Sequence, residues 1–150
     1  MLKRISIPIV ICLFLFHICG SVFAQNDWHV GRMPNGIGLH ICQTDSDYVS
    51  VAFRYKVGAV NDPAGKEGLA HLFEHIAFHG SKRVSRREVD DTVALHAGRC
   101  DASVGWFETV YIWELPVSHW TFALDFELDR ISSLSITNEQ LELEKRIIAR

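Results

Sequence analysis

His71, Glu74 and His75 stand within one five-residue run, His71-Leu72-Phe73-Glu74-His75. Each residue of a helix advances about 100°, so a helix here puts both imidazoles on one face, a turn apart, with the carboxylate beside them. The flanking residues agree with that reading. Lys66 to His79 reads as a helix, and Gly80 follows in the usual position of a left-handed cap.

Two imidazoles at this spacing can bind one zinc ion. A neighbouring carboxylate can take a proton from a water whose pKa the metal has lowered to about 7. The run is H-x-x-E-H, the reversed order of the H-E-x-x-H arrangement. The plainer alternative is a solvated helix face with scattered histidines. His79 extends the row, but it lies about 12 Å along the axis from His71. Zinc–nitrogen bonds are about 2.0–2.1 Å, so one ion does not reach both ends. His79 is therefore expected at the helix end, facing the last carbonyls. His96 and His119 read as ordinary surface or capping residues.

The first 24 residues form a separate unit. Lys3 and Arg4 precede an apolar run from Ile5 to Cys19, Val22-Phe23-Ala24 ends it, and Gln25-Asn26-Asp27 opens polar sequence. That order is the pattern of a signal peptide cleaved after Ala24, and it predicts a secreted or periplasmic protein. The run is short for a membrane span and is interrupted by Pro8 and His17, so no stable membrane anchor is expected. Residues 25–150 then make the folded part, at most one domain. The whole chain has 15 basic and 18 acidic residues, which gives no electrostatic footprint for nucleic acid. In an oxidising compartment Cys42 and Cys100 are candidates to pair.

Along residues 25–150, Pro34-Asn35-Gly36 signals a turn between two short strands. Val49, Val51, Phe53, Tyr55 and Val57 alternate with more polar residues, the period of a half-buried strand. Asn61 to Gly65 reads as a loop. Ser85 and Glu88 form a capping box for a helix ending before Gly98. Arg99 to Val104 and Thr109 to Leu115 read as a hairpin around Gly105. Ser118 is expected to cap a helix carrying Phe122, Leu124, Phe126, Leu128 and Ile131, and Thr137 with Gln140 opens a last helix. The pattern predicts an α+β fold, a mixed and largely antiparallel sheet with helices packed on it. The metal-binding helix is expected opposite the last helix. There Leu141, Ile147 and Ile148 define a stripe that includes Glu144. A carboxylate in such a stripe needs a partner. It is either paired with Lys145 or Arg146, or it orients the metal site from behind.

Several segments together resemble the pitrilysin/insulinase family of zinc metallopeptidases. They are Pro34-Asn35-Gly36, Tyr55-Lys56-Val57-Gly58-Ala59, Gly65 to Ala70, the pentad with Phe78-His79-Gly80-Ser81, Phe107 to Tyr111, and Glu144 to Ile148. They occur in family order across residues 34–150. The resemblance implies that His71 and His75 are zinc ligands and Glu74 the general base. It implies that Glu144 is a supporting carboxylate near a third ligand. That third ligand is a glutamate about 76 residues after the second histidine, at position 151, one beyond Arg150.

The resemblance further implies peptide substrates, and a second, related domain or subunit that closes over them. At Asp101-Ala102 the family usually has Asn-Ala. An asparagine amide donates to a substrate carbonyl and an ionised aspartate cannot, so substrate contact at Asp101 and Ala102 is altered. Three readings follow. The chain is the N-terminal portion of a zinc endopeptidase, ending before the third ligand. It is a non-catalytic binding or assembly subunit of the same family. Or it is the product of a decayed gene, aggregation-prone through uncovered apolar surface.

Overall fold

The computed structural model describes residues 28–149. The expected signal peptide, residues 1–24, lies outside the described residues. The chain divides into two compact units between Asp45 and Ser46.

In the first unit, strand β1 (Trp28–Arg32) pairs antiparallel with β2 (Gly38–Cys42), with Val30 opposite His40. The turn sits where Pro34-Asn35-Gly36 predicts it. Met33 donates its N–H to the Ile37 carbonyl, and the Asn35 side chain accepts from the Ile37 N–H.

The second unit carries strand β3 (Tyr48–Tyr55), helix α1 (Leu69–Ile76), helix α2 (Arg86–Leu95), strands β4 (Arg99–Val104) and β5 (Thr109–Pro116), and helices α3 (Thr121–Ser133) and α4 (Asn138–Ile148). The sheet order is β3-β5-β4, with β5 central, and every strand pairing among the described residues is antiparallel. The fold is α+β. On β5, Thr109, Tyr111, Trp113 and Leu115 alternate inward, the period of two that a sheet with one covered face requires. Trp113, Leu115, Ala123, Phe126 and Val89 form the core, and Phe126 and Phe122 each meet the Trp113 ring edge-on. Among the described residues no helix is long and apolar enough to cross a membrane. Cys42 and Cys100 are both free thiols.

Both predicted capping boxes form. Ser85 and Thr137 accept from the N–H groups of Glu88 and Gln140, whose side chains reach back. Two expectations are corrected. The helix predicted over Lys66–His79 is α-helical only from Leu69 to Ile76, because Gly68 enters it at φ 90° and Ala77–His79 tightens into a 3-10 turn. Ser118 does not cap α3: its hydroxyl pairs with His119 Nδ1, and the helix starts after Trp120. His96, read as a surface or capping residue, is the C-cap of α2, and its ring stacks on that of His119 with centroids 3.6 Å apart.

Gly80 ends the 3-10 turn at φ 106°, ψ −167°, a conformation that only glycine adopts easily. A Cβ there would lie 2.5 Å from the Val84 carbonyl oxygen. Gly80→Ala is therefore expected to cost about 1–3 kcal/mol, read as a lower denaturant midpoint at unchanged slope. An unchanged midpoint would show that the turn is free to relax.

Candidate active site

Helix α1 brings His71, Glu74 and His75 together. Its N-terminal N–H groups need partners, and Gly68 has no side chain to cap them. Asp62 reaches in from the preceding loop instead. Its two oxygens accept from the N–H groups of Gly68 at 2.7 Å and Ala70 at 2.8 Å. A carboxylate at this end also suits the helix dipole. Ala70 and Ile76 are buried on the inner side of α1, and Phe73 is exposed on the other.

The rings of His71 and His75 meet edge to face, with centroids 4.9 Å apart. Helix α1 packs against α4, as expected, and Glu144 comes from α4 to meet it. Glu144 is 5% exposed. Its Oε2 lies 2.9 Å from His75 Nδ1 and its Oε1 lies 2.7 Å from His79 Nε2. Of the two partnerships open to Glu144 in the sequence, pairing with Lys145 does not occur; Lys145 bonds Glu142 at 2.7 Å. Burial pushes the Glu144 carboxyl up, but the hydrogen bonds from His79 and His75 outweigh it and leave the net shift downward. Ile147, expected in the same stripe, is exposed, while Leu141 and Ile148 are partly covered.

His79 is a correction. It does not face the helix's last carbonyls. The 3-10 turn carries it over to Glu144, and Arg130 Nη1 lies 3.5 Å from the Ala77 carbonyl instead. Its even spacing with His71 and His75 carries no sign of the carboxylate it meets.

Glu74, His75, Glu144, Cys100, Asp101 and Ala102 line one open cleft of about 460 Å³. Asp101 and Ala102 lie on β4, an edge strand of the sheet. The Asp101 carboxylate accepts from Arg99 Nη2 and from the Ala102 N–H, both at 2.9 Å. The Arg99 hydrogen bond, aided by the Ala102 N–H, lowers its carboxyl below the usual range. The Cys100 thiol is pushed up to about 12, first by burial and then by the Glu127 charge, which leaves it unreactive at neutral pH.

Behind the site lies a polar network that the sequence did not signal. Glu127 is fully buried. It accepts from Trp113 Nε1 at 3.0 Å, Tyr55 Oη at 3.1 Å, and Arg130 Nε and Nη2 at 2.9 and 2.6 Å. The Arg130 guanidinium stacks 3.6 Å over the Tyr111 ring. Burial, with the Glu127 charge, raises the Tyr55 hydroxyl to about 12, and burial raises Tyr111 likewise.

Residues 40–150 match the profile of the family described as Insulinase (Peptidase family M16). The chain belongs to the insulinase family of peptidases. It is 28% identical over 129 residues to "Zinc protease PqqE" of Helicobacter pylori, which covers 86% of this chain and 28% of that protein. It is 30% identical over 111 residues to the insulin-degrading enzyme of Homo sapiens, covering 73% of this chain and 11% of that one. Among solved structures, a protease from Helicobacter pylori superposes with a TM-score of 0.76 at 24% identity, over 83% of this chain and 30% of that one. Pitrilysin superposes with a TM-score of 0.74 at 23% identity, over 85% of this chain and 14% of its own. The two structural likenesses carry the fold alone. The chain thus spans under a third of the length of these insulinase-family relatives.

Relatives named zinc proteases raise the question whether these residues suit zinc. The donors do. Imidazole nitrogen is a preferred zinc ligand, and ring centroids 4.9 Å apart let one nitrogen of each ring approach a common ion. His75 Nδ1 is engaged by Glu144, which leaves Nε2 for a metal, the arrangement found behind metal-bound histidines. Among the described residues no third His, Cys, Asp or Glu joins these two in a group able to hold an ion.

Proposed function

We propose that the chain is the N-terminal part of a secreted or periplasmic zinc-dependent endopeptidase that acts on peptides or unfolded segments. The observation that carries this reading is the buried Glu144 holding His75 by Nδ1, on the helix face that also presents His71 and Glu74. His71 and His75 would hold zinc, with a further ligand from outside residues 28–149. When bound, zinc supplies a Lewis acid that polarises a carbonyl and makes a water easier to deprotonate.

The chain's own residues do the rest. Glu74, half-buried at the cleft wall, accepts a proton from the attacking water and returns it to the leaving amine. Edge strand β4 offers backbone groups to an extended peptide, the mode by which sheet edges take up a strand. Asp101 meets that peptide as an acceptor, because its carboxylate is held ionised and cannot donate. The leader sequence at residues 1–24 supports export.

The test is zinc content and cleavage of an unstructured peptide by the natural gene product. His71→Ala removes a ligand, so zinc affinity is expected to fall by more than the roughly 10–100-fold that outer-shell changes cause. Cleavage is expected to fall with it. Full zinc occupancy in His71→Ala would remove His71 from the metal site. Zinc binding without cleavage in the wild type would favour a binding subunit.

A further inference from the structure

We propose that His79 is a positioning residue: it anchors Glu144 so that Glu144 in turn fixes the orientation and tautomer of His75. The inference rests on the reading of His75 as a metal ligand.

The argument starts from hydrogen-bond inventory. An ionised carboxylate only accepts, so each imidazole nitrogen facing Glu144 must carry a proton. The contact at His75 Nδ1 therefore places its proton on Nδ1 and leaves the Nε2 lone pair open. The contact at His79 Nε2 places that ring's proton on Nε2. The two rings present opposite nitrogens to the same carboxylate, one to each oxygen.

Glu144 cannot do this alone. It is 5% exposed, and a buried carboxylate with one oxygen unpaired is costly. Among the described residues, the side-chain donors to Glu144 are His75 and His79. His79 is itself well covered, its side chain 8% exposed against 32% for His75. The partner on the cleft side is thus the exposed one, and the partner behind it is held in place. Without His79 the carboxylate turns about its Cγ–Cδ bond, and no other side chain among the described residues keeps Oε2 on His75 Nδ1.

The 3-10 turn at Ala77–His79 makes this arrangement. It follows α1 directly and winds more tightly than the α-helix. The chain then reverses at Gly80, pinned by bridges from Gly80 to Ser85 and from Ser81 to Leu134. The backbone around His79 is thereby fixed, which its side chain needs in order to act as an anchor.

The first test is on the unaltered full chain without metal. Long-range proton–nitrogen correlation spectra of the labelled protein are expected to show Nδ1–H at His75 and Nε2–H at His79. An Nε2–H tautomer at His75 overturns the proposal with no variant needed. The second test compares His79→Leu with His79→Gln, whose amide N–H can still donate to Glu144. His79→Leu is expected to lose the single His75 tautomer and to weaken zinc binding about 10–100-fold by chelator competition. His79→Gln is expected to restore both in large part.

A folded His79→Leu with unchanged tautomer and zinc affinity overturns the proposal. So does a His79→Gln as impaired as His79→Leu, which would assign His79 to packing alone. Should His79→Leu fail to fold, the wild-type tautomers and His79→Gln decide. If the tautomers are as expected but the wild type binds no zinc, the metal-site reading fails and the anchoring of Glu144 stands.

Discussion

Replacing Glu74 by glutamine is expected to lower peptide cleavage by the natural gene product about 10²–10⁴-fold, with zinc affinity unchanged. The argument is one of isosteric chemistry. Glutamine keeps the size of Glu74 and its place on α1 between the two imidazoles. It keeps one acceptor oxygen but has no basic site, so it cannot take a proton from water. No hydrogen bond or ion pair to another side chain holds Glu74 among the described residues, so the substitution orphans no partner in the fold. A loss confined to turnover, with KM for the peptide little changed, is the pattern expected of an interaction made only in the transition state. Cleavage at the wild-type rate in Glu74→Gln would remove Glu74 as the base. A parallel loss of zinc would instead place Glu74 among the metal's ligands.

What the sequence makes legible follows from which signals are local. The strand alternation from Val49, the turn at Pro34–Gly36 and the capping boxes at Ser85 and Thr137 are each written within eight or so residues, and each forms, except that the strand ends at Tyr55 and leaves Val57 beyond it and exposed. The pentad is equally local, because helix geometry alone puts His71, Glu74 and His75 together. The misread details are those where a distant residue decides. The start of α1 depends on Asp62, which sits in the loop before it and caps N–H groups six and eight residues on. The orientation of His79 depends on Glu144, 65 residues later. Spacing on one helix cannot show a partner on another.

Helix α3 shows the same limit in its composition. By hydrophobicity its inner face should hold Leu128 and Ile131, yet both are exposed, while Glu127, Asp129 and Arg130 are buried. The helix is rotated by what its polar residues can satisfy. Asp129 is bonded by the hydroxyls of Ser81 and Ser133, and Glu127 by four donors. Arg130 and Ser133 donate from α3 itself, but no single-segment pattern carries the rest, since Tyr55, Trp113 and Ser81 come from β3, β5 and the turn after α1.

That network leads to the second large effect, which is on stability. Glu127→Ala is expected to cost about 3–5 kcal/mol, because it leaves the Arg130 guanidinium buried without its counter-charge. Arg130 is 5% exposed, and two of its nitrogens bond Glu127 at 2.9 and 2.6 Å. The Trp113 indole N–H and the Tyr55 hydroxyl lose their acceptor in the same step. Trp113 is fully buried, so its fluorescence reports the transition in a urea titration. Removing both charges should behave differently. In Glu127→Leu combined with Arg130→Met no charge is left stranded, and apolar side chains of similar volume fill the space. The double variant is expected to recover most of the loss, as buried ion pairs replaced by apolar groups generally do. The double variant should still differ from the wild type at the site. Arg130 lies over Tyr111 and within 3.5 Å of the Ala77 carbonyl, where α1 passes into the turn that carries His79. A stable double variant with weakened zinc binding would show that the network's role is to hold the end of α1 rather than to hold the fold. A Glu127→Ala loss below about 1 kcal/mol would mean that water reaches Arg130 and that the pair behaves like a surface one.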